Sequence, residues 1–437
     1  MTRVGVVGLW HLGCVLAASW SRLGNEVIAV DFDPRQIGLL ERAVPPLFEP
    51  GLEQALRQGL TSGLLRFSGD ASFLSSCRFV FIAHDTPVEE DDAPNLTSVE
   101  ADFVRVLPHL ADLAVVVVSA QLPVGTARRW RRMLREAKPG AELVYSPENL
   151  RLGEALACYA NPGHIVLGGD DPAAIDAVAE FFSPMKARAV RMNLTSAEMA
   201  KHAINSFLAV SIGLANELAD QCEASGASFD AVSAVMRLDP RIGPRAYLSA
   251  GIGFSGGTLG RDLSVLETAA VDAGREPRLV RAVRANNSDR VRYVGDRISA
   301  ELGDLDGRVI ALFGMTYKAG TSTLRRSLPL AVARDLIDRG ASVRVYDPKA
   351  DWEELPAPVR AVLFVASSPY SAAEGAHVAL LMTEWPEFLE LDLQRLRSTM
   401  AEPVFFDTKS QLRDRFDALQ ALGFRVMAIG RGDITRQ

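Results

Sequence analysis

The 437-residue sequence lacks the features that would place it in a membrane, on a nucleic acid or in an oxidising compartment. No apolar run reaches the roughly 18 residues that a membrane-spanning helix needs, and the first residues resemble a strand rather than a secretory signal. No long Lys/Arg run is present, and the formal net charge is −7. These absences argue against a membrane or a nucleic acid as the main partner and predict a cytoplasmic protein, although a local basic site could still bind a small anion.

Cysteine is scarce, and its spacing is uninformative for metal or disulfide chemistry. The four cysteines are Cys14, Cys77, Cys158 and Cys222. Without CxxC spacing they indicate neither a zinc site nor a disulfide framework, so we interpret them as reduced, buried side chains and expect no metal. No short-period repeat or low-complexity tract is visible, which leaves a globular chain long enough for two or three domains.

The order of apolar runs predicts two α/β regions. Through about residue 170, short continuous apolar runs alternate with helical stretches, which is typical of a parallel sheet covered on both faces. The same pattern resumes beyond about residue 300. The predicted strands are Val4–Val7, Glu26–Val30, Phe79–Ile82, Val115–Ser119, Leu143–Tyr145, His164–Leu167, Val309–Phe313, Ser342–Tyr346, Val378–Leu381, Val404–Phe406 and Arg425–Ala428.

A long helix is predicted between the two α/β regions. From Thr195 to Gly226, apolar residues recur at helical spacing and no proline interrupts them. The predicted fold class is therefore α/β, with two Rossmann-like doubly wound domains joined by a long-helix central segment. We expect the domains to span residues 1–192, 193–300 and 301–437.

The first two strands and the turn between them form a dinucleotide-binding pattern. Gly8 and Gly13 bracket the turn that opens the first helix, and Asp31 follows Gly13 by 18 residues at the end of the second strand. Such a turn places pyrophosphate on the helix N-terminus, while the acid accepts hydrogen bonds from ribose hydroxyls and repels a 2′-phosphate. NAD is therefore the expected cofactor, in preference to NADP.

Trp10 departs from this pattern, because it stands where a glycine normally lets backbone approach the pyrophosphate. Two interpretations stay open for this position. In the first, the indole points away from the phosphates and NAD binds in a slightly displaced pose. In the second, the cofactor site is degraded.

Further segments follow in a characteristic order over nearly the whole chain. They are EPGL at 49–52, TP at 86–87, LPVGT at 122–126, SPE at 146–148, EMAK at 198–201 with Asn205, RIG at 241–243, YK at 317–318, YDP at 346–348 and TEW at 383–385. In this order they resemble the UDP-glucose/GDP-mannose dehydrogenase family. That family oxidises the C6 alcohol of a nucleotide sugar to an acid in two hydride transfers to NAD, with a cysteine that captures the intermediate aldehyde.

The resemblance implies a set of catalytic residues. Lys201 and Asn205 are four residues apart, so on a helix they share a face and can converge on one substrate oxygen, where negative charge develops as hydride leaves. Asp262 is expected to orient a water or hold the lysine, and Glu148 to serve as a base towards a water. Without the family order, Lys201 would be interpreted as a solvated helix charge and Glu148 as a loop carboxylate.

The resemblance also implies binding residues outside the glycine-rich turn. The expected additional cofactor contacts are Thr86, Gln121 and Arg325. The expected substrate contacts are Arg241, Gly253, Lys318 and Lys409. Arg241 resembles a residue that reaches the sugar site of a neighbouring subunit, which predicts a homodimer. Lys409 stands where the family has an arginine and lacks its bidentate geometry.

The nucleophile of the family is missing from this sequence. Residues 253–262 overlay the motif GFGGSCFPKD, and Thr258 occupies the position of its catalytic cysteine. A threonine hydroxyl needs a dedicated base to attack a carbonyl, whereas a thiol is intrinsically nucleophilic. Three interpretations stay open: a two-electron dehydrogenase, which we favour; a four-electron oxidation through an aldehyde hydrate formed with Glu148; and a nucleotide-sugar-binding pseudoenzyme.

Overall fold

The computed structural model describes residues 2–89, 91–148, 150–432 and 434. The chain forms two compact units, residues 1–204 with 264–273 and residues 205–263 with 274–437. The first boundary, between residues 204 and 205, falls inside a single long helix. Within the described ranges, no helix is both long and apolar enough to cross a membrane.

The first unit is built on an eight-stranded sheet. Its strands are β1 (Arg3–Val7), β2 (Glu26–Val30), β3 (Leu65–Ser68), β4 (Phe79–Ile82), β5 (Val115–Val118), β6 (Glu142–Tyr145), β7 (His164–Gly168) and β8 (Arg188–Met192). Their order across the sheet is β3-β2-β1-β4-β5-β6-β7-β8. The six strands predicted for this region are confirmed to within one residue at each end, whereas the sequence does not predict β3 and β8, the two edge strands.

One strand pairing corrects the expectation of a purely parallel sheet. β6 and β7 are antiparallel and pair only at Tyr145 and Gly168, the last residue of each strand. β7 therefore extends past the end of β6, beside the segment that begins at Ser146. The sequence could not reveal this, because a continuous apolar run indicates burial on both faces but not strand direction. The reversal places Glu148 and the start of β7 around a common pocket.

Helices cover both faces of this sheet. They are α1 (His11–Arg22), α2 (Pro34–Leu40), α3 (Leu52–Thr61), α4 (Thr97–Val106), α5 (Thr126–Ala137), α6 (Ala155–Ala160) and α7 (Pro172–Phe181). Because side chains alternate along a strand, Val6 packs in one hydrophobic cluster with Trp20 of α1, and Val7 packs in the opposite cluster with Trp130 of α5. The predicted doubly wound architecture is confirmed by these two layers.

The predicted long helix is confirmed as α8 (Leu194–Ser225), which begins one residue before the predicted start and ends one residue before the predicted end. The helices after it are α9 (Phe229–Leu238), α10 (Arg261–Asp272), α11 (Arg278–Leu302), α12 (Leu328–Asp338), α13 (Ala357–Val362), α14 (Pro369–Ala373), α15 (Leu393–Thr399) and α16 (Phe416–Ala421). Residues 256–260, directly before α10, form a π-helical turn.

The second unit contains a six-stranded parallel sheet. Its strands are β9 (Val309–Phe313), β10 (Ser342–Tyr346), β11 (Phe364–Val365), β12 (Val378–Leu381), β13 (Val404–Asp407) and β14 (Arg425–Ala428). Their order is β11-β10-β9-β12-β13-β14, and every neighbouring pair runs parallel. The five strands predicted here are confirmed, and the one that the sequence does not predict, β11, is again at an edge. Two Rossmann-like sheets and a long central helix therefore agree with the predicted fold class.

Candidate active site

The turn between β1 and α1 has the backbone geometry of a dinucleotide-binding turn. Gly8 has a φ of 88°, and a Cβ atom there would lie 2.6 Å from the ring of His84. At Gly13 a Cβ atom would lie 1.8 Å from the carbonyl oxygen of Gly8. Both positions therefore require glycine, the first for its left-handed conformation and the second for close packing of the helix on the turn.

Asp31 lies directly after β2 and is fixed to the same turn. Its Oδ2 accepts a hydrogen bond from the Leu9 amide at 2.8 Å, and its Oδ1 accepts one from the Asp33 amide at 3.0 Å. The obligatory glycines, the N-terminus of α1 and a partly accessible acid after β2 together fit NAD. When bound, NAD accepts a hydride from the substrate carbon. Trp10, the residue before α1, is also partly accessible.

A second acid, which sequence reasoning missed, contacts the first turn of α1. Asp85 follows β4, and its Oδ2 accepts a hydrogen bond from the Leu12 amide at 2.9 Å. Burial raises the pKa of the Cys14 thiol in this turn, and the charges of Asp85 and Asp31 raise it further. Because β4 lies next to β1 in the sheet, residues after both strands meet at one edge. The position of Asp85 after a strand that pairs with β1, rather than a motif, was therefore the feature that could have identified this residue from the sequence.

Glu49 of the EPGL segment connects the turn to the loop after β6. Its buried carboxylate accepts hydrogen bonds from the amides of Gly153 and Ala155 at 2.8 and 2.9 Å, and its Oε2 lies 2.9 Å from Nε2 of the buried His11. A carboxylate held by several donors is a strong anchor in a buried site. The segment therefore positions the far end of the loop that carries Glu148, a function that sequence analysis did not assign to it.

The two other predicted cofactor residues of the first unit lie together. The hydroxyl of the buried Thr86 donates to the backbone carbonyl of Gln121 at 2.7 Å. This contact joins the loop after β4 to the loop after β5. Both loops lie at the carboxyl edge of neighbouring parallel strands, where ligands of this fold class bind.

The start of α8 is anchored so that Lys201 is held in a buried position. Glu198, which is fully buried, accepts hydrogen bonds from the amides of Gly125 and Ala127 at 2.6 and 2.7 Å. One turn later, Nε2 of His202 lies 2.9 Å from the carbonyl oxygen of Leu122. These bonds fix the helix to the LPVGT turn on both sides of Lys201, which is only 8% exposed.

Glu148 occupies an environment that disfavours its charge. Burial raises the pKa of this carboxyl from its ordinary 4.5 to about 8, although the nearby charge of Lys201 acts in the opposite direction. The side chain keeps part of its surface accessible and lines a cavity of about 160 Å³. Cys158 and Tyr159 of α6 and His164 of β7 line the same cavity. A carboxyl with this pKa beside a cavity large enough for water can act as a general base near neutral pH.

In the second unit, two of the predicted catalytic residues form a pair. The side-chain amide of Asn205 on α8 donates to Oδ2 of Asp262 on α10, and the two side chains are 5% and 0% exposed. Thr258, in the π-helical turn, is exposed and shares a side-chain hydrogen bond with Tyr317. Burial raises the pKa of Tyr317, and the bond with Thr258 counteracts that rise.

Two of the predicted substrate residues are fixed by local structure. Gly253 has a φ of 96°, and a Cβ atom there would lie 2.4 Å from Oδ1 of Asn287, which already accepts a hydrogen bond from the Phe254 amide at 2.7 Å. Lys409 follows β13, and its Nζ lies 3.8 Å from a carboxylate oxygen of Glu384 in the TEW segment. Glycine is therefore obligatory at position 253. The contact between Lys409 and Glu384 brings the segment after β13 next to the TEW segment.

The remaining binding residues of the second unit are less constrained. The side chain of Arg241 is 87% exposed and pairs with Asp239 at 2.7 Å. Arg325 is also exposed, and its Nε lies 3.8 Å from Glu354. Lys318 is partly accessible next to Tyr317. Within the described residues, no group of three or more His, Cys, Asp or Glu side chains is arranged to hold a metal ion.

Comparison with known proteins matches this arrangement along the whole chain. Three sequence models of the UDP-glucose/GDP-mannose dehydrogenase family match: the NAD binding domain at residues 2–186, the central domain at 195–289 and the UDP binding domain at 311–414. The UDP-glucose 6-dehydrogenase of Rhizobium meliloti is 35% identical over 441 residues, which cover 99% of this chain and 100% of that protein.

Two further relatives support the same relationship. UDP-glucose 6-dehydrogenase TuaD of Bacillus subtilis is 31% identical over 99% of this chain and 94% of its own length. A solved UDP-glucose dehydrogenase from the archaeon Pyrobaculum islandicum superposes with a TM-score of 0.86 at 29% identity, over 95% of this chain and 96% of that one. The chain therefore belongs to the UDP-glucose/GDP-mannose dehydrogenase family, and it is an NAD-dependent nucleotide-sugar dehydrogenase.

Proposed function

We propose that this dehydrogenase oxidises the C6 alcohol of a UDP-sugar and releases a two-electron product. The match to the family's UDP binding domain over residues 311–414 and the names of the bacterial relatives favour a uridine nucleotide. The base and the sugar are selected by pocket shape rather than by a motif, so a panel of nucleotide sugars is the appropriate substrate test.

The catalytic roles follow from the environments of four side chains. Lys201 supplies a buried cation for the oxygen on which negative charge develops. Asp262 holds the side-chain amide of Asn205 and so fixes its orientation one helical turn after Lys201. Glu148 removes a proton from a water in the adjoining cavity, which hydrates an aldehyde product.

Thr258 carries the proposal that oxidation stops after one hydride transfer. Its hydroxyl is engaged with Tyr317 and lacks the acidity of a thiol, so a covalent intermediate at this position is disfavoured. Three of the four thiols offer little compensation. Burial raises the pKa of Cys14, Cys77 and Cys222, which reduces their thiolate fraction.

The test is the stoichiometry of the reaction. The purified protein is incubated with NAD and UDP- or GDP-sugars, NADH is counted per sugar consumed, and the product is identified by mass. We expect about one NADH per sugar, and about two after the substitution Thr258→Cys, because the thiolate then retains the aldehyde for a second transfer. Thr258→Ser is the matched control, since it changes the side chain without adding a thiol. Two NADH per sugar from the unmodified protein would contradict the proposal.

Complete oxidation to the acid is the second candidate, and the surroundings of Glu148 favour it. A base beside a cavity that can admit water can form the aldehyde hydrate, whose oxidation needs no thioester. Cys158 lines the same cavity, so it offers an alternative thiol route. If two NADH are released, Cys158→Ser separates the two routes: the hydrate route keeps the second transfer and the thiol route loses it. Tight nucleotide-sugar binding without NADH would instead indicate a pseudoenzyme.

A homodimer also forms part of the proposal. Large apolar side chains are exposed on α8, on α9 and in the segment that follows, among them Phe207, Val235, Leu238 and Tyr247 at 72, 68, 81 and 56% exposure. Several exposed large apolar side chains in one region of the chain are typical of an oligomeric interface. The domain limits 1–192, 193–300 and 301–437 and a cytoplasmic location stay predictions from the sequence.

A further inference from the structure

Asp85 binds a backbone amide at the point where this fold class binds pyrophosphate. α1 begins at His11, three residues after Gly8, and the Leu12 amide in its first turn donates to Oδ2 of Asp85 at 2.9 Å. In a dinucleotide-binding turn, amides at the start of this helix and the positive end of its dipole receive the pyrophosphate. An internal carboxylate and an external phosphate therefore compete for the same positive helix end.

Three acids surround this turn, and they differ in how firmly they are held. Asp31 accepts bonds from two amides, those of Leu9 and Asp33. Glu49 is buried and accepts bonds from two amides in addition to its contact with His11. Within the described part of the chain, Asp85 accepts one hydrogen bond, and its side chain is partly accessible. It is therefore the acid that can leave the turn with the least rearrangement.

Neither His84 nor Asp31 neutralises Asp85. The adjacent His84 directs Nε2 to Asp102 at 2.9 Å, so its ring is engaged with a different carboxylate. Asp31 is a second acid at this turn, and its charge and that of Asp85 both raise the pKa of the Cys14 thiol in α1. A pyrophosphate that approaches the turn meets this negative charge unless Asp85 moves.

We propose that Asp85 is an internal competitor of the cofactor pyrophosphate and that it sets the affinity of this chain for NAD. In the free protein its carboxylate occupies the Leu12 amide. On binding, a phosphate oxygen takes over that amide and the carboxylate turns towards solvent. The exchange loses one charge-assisted hydrogen bond and adds repulsion, so NAD binds more weakly than the turn alone would allow.

The test measures binding rather than activity. Dissociation constants of NAD, ADP-ribose and adenosine are determined by calorimetry for the full-length protein, for Asp85→Asn and for Asp85→Gly. Asp91→Asn is the matched control, because it removes the same charge from the same loop at an exposed position. We expect Asp85→Asn to tighten NAD and ADP-ribose at least about tenfold, which is the fold-change of one charged hydrogen bond, and to leave adenosine within about twofold.

Each alternative outcome contradicts the proposal. Unchanged or weaker binding of ADP-ribose by both Asp85 variants would mean that the carboxylate does not compete with the pyrophosphate. Equal tightening of adenosine would mean that the effect is not specific to the phosphates. An equal gain in affinity for NAD and ADP-ribose in Asp91→Asn would mean that the effect comes from the net charge of the protein. None of these results depends on whether a sugar is oxidised, so they are distinct from a failure of the proposed reaction.

Discussion

The substitution Glu148→Gln tests whether Glu148 is the base, because the pKa of its carboxyl is unusually high. Burial holds the pKa of the Glu148 carboxyl at about 8, so the group changes charge within the pH range in which the protein is assayed. The ionised form is the one that can accept a proton from water. Hydration of an aldehyde substrate should therefore become faster as the pH rises through about 8, and glutamine should remove that dependence.

The size of the effect follows from the pKa. With a pKa of about 8, roughly a tenth of the Glu148 carboxyl is ionised at pH 7, about half at pH 8 and about nine-tenths at pH 9. The Glu148-dependent rate should thus rise about fivefold between pH 7 and 8 and less than about twofold between pH 8 and 9. The raised pKa of Glu148 also makes the free energy of unfolding depend on pH. Because the folded state favours the neutral acid, the free energy of unfolding should fall as the pH rises from about 4.5 to about 8, and Glu148→Gln should abolish that decline.

The assay supplies the sugar aldehyde directly and records its hydration, as incorporation of ¹⁸O from labelled water, between pH 6 and 9, with urea unfolding at the same pH values. Glu154→Gln is the matched control, since Glu154 lies in the same loop but is exposed and paired with Arg151 at 3.3 Å. It should leave both profiles unchanged. A rate that does not change with pH in the unmodified protein would refute the assignment of Glu148 as the base. A rate that still rises near pH 8 in Glu148→Gln would refute it as well.

Three further predictions concern the cofactor turn, the backbone and the interface. Asp31 should make NAD bind at least about a hundredfold more tightly than NADP, because close like charges cost several kcal/mol, and Asp31→Ser should narrow that ratio in a binding titration. Gly253→Ala should lower the unfolding free energy by about 1–3 kcal/mol in urea, since alanine disfavours the φ of 96° and its Cβ would meet Asn287 at 2.4 Å. Phe207→Asp combined with Leu238→Asp should shift a dimer to monomer in sedimentation, and a wild-type monomer with full substrate affinity would contradict the interface.

The sequence predicted the central strands and missed the edges for a physical reason. β1, β4 and β5 are buried on both faces and are continuous apolar runs, which is a strong signal. β3 and β8 lie at the edges of the first sheet, and exposed arginines interrupt their apolar residues in the segments LRFS and RAVRM. β11 has two residues, both exposed. An edge strand is covered less completely, so its composition is not distinct from that of a loop.

The candidate site shows a similar division between local and long-range information. The requirement for glycine at positions 8 and 13 could be predicted, because it depends on one turn. The contact of Asp85 with Leu12 joins residues 73 positions apart, and that of Glu49 with Ala155 joins residues 106 positions apart. Such pairs depend on strand order and loop direction, which periodicity does not encode. The raised pKa of Glu148 likewise depends on packing around the loop after β6.

The buried polar pairs favour an enzyme over a protein that only binds nucleotide sugars. Asp262 is fully buried against Asn205, and Lys201 is buried near a carboxyl whose pKa is raised by its surroundings. Removing such groups from water is costly, and an apolar pair of similar volume often stabilises a fold at least as well. A protein that only binds nucleotide sugars gains nothing from a buried cation and an acid of raised pKa at these positions. Hydride transfer needs both, because charge must be stabilised and protons must be moved at the reacting oxygen. The arrangement is therefore better explained by catalysis.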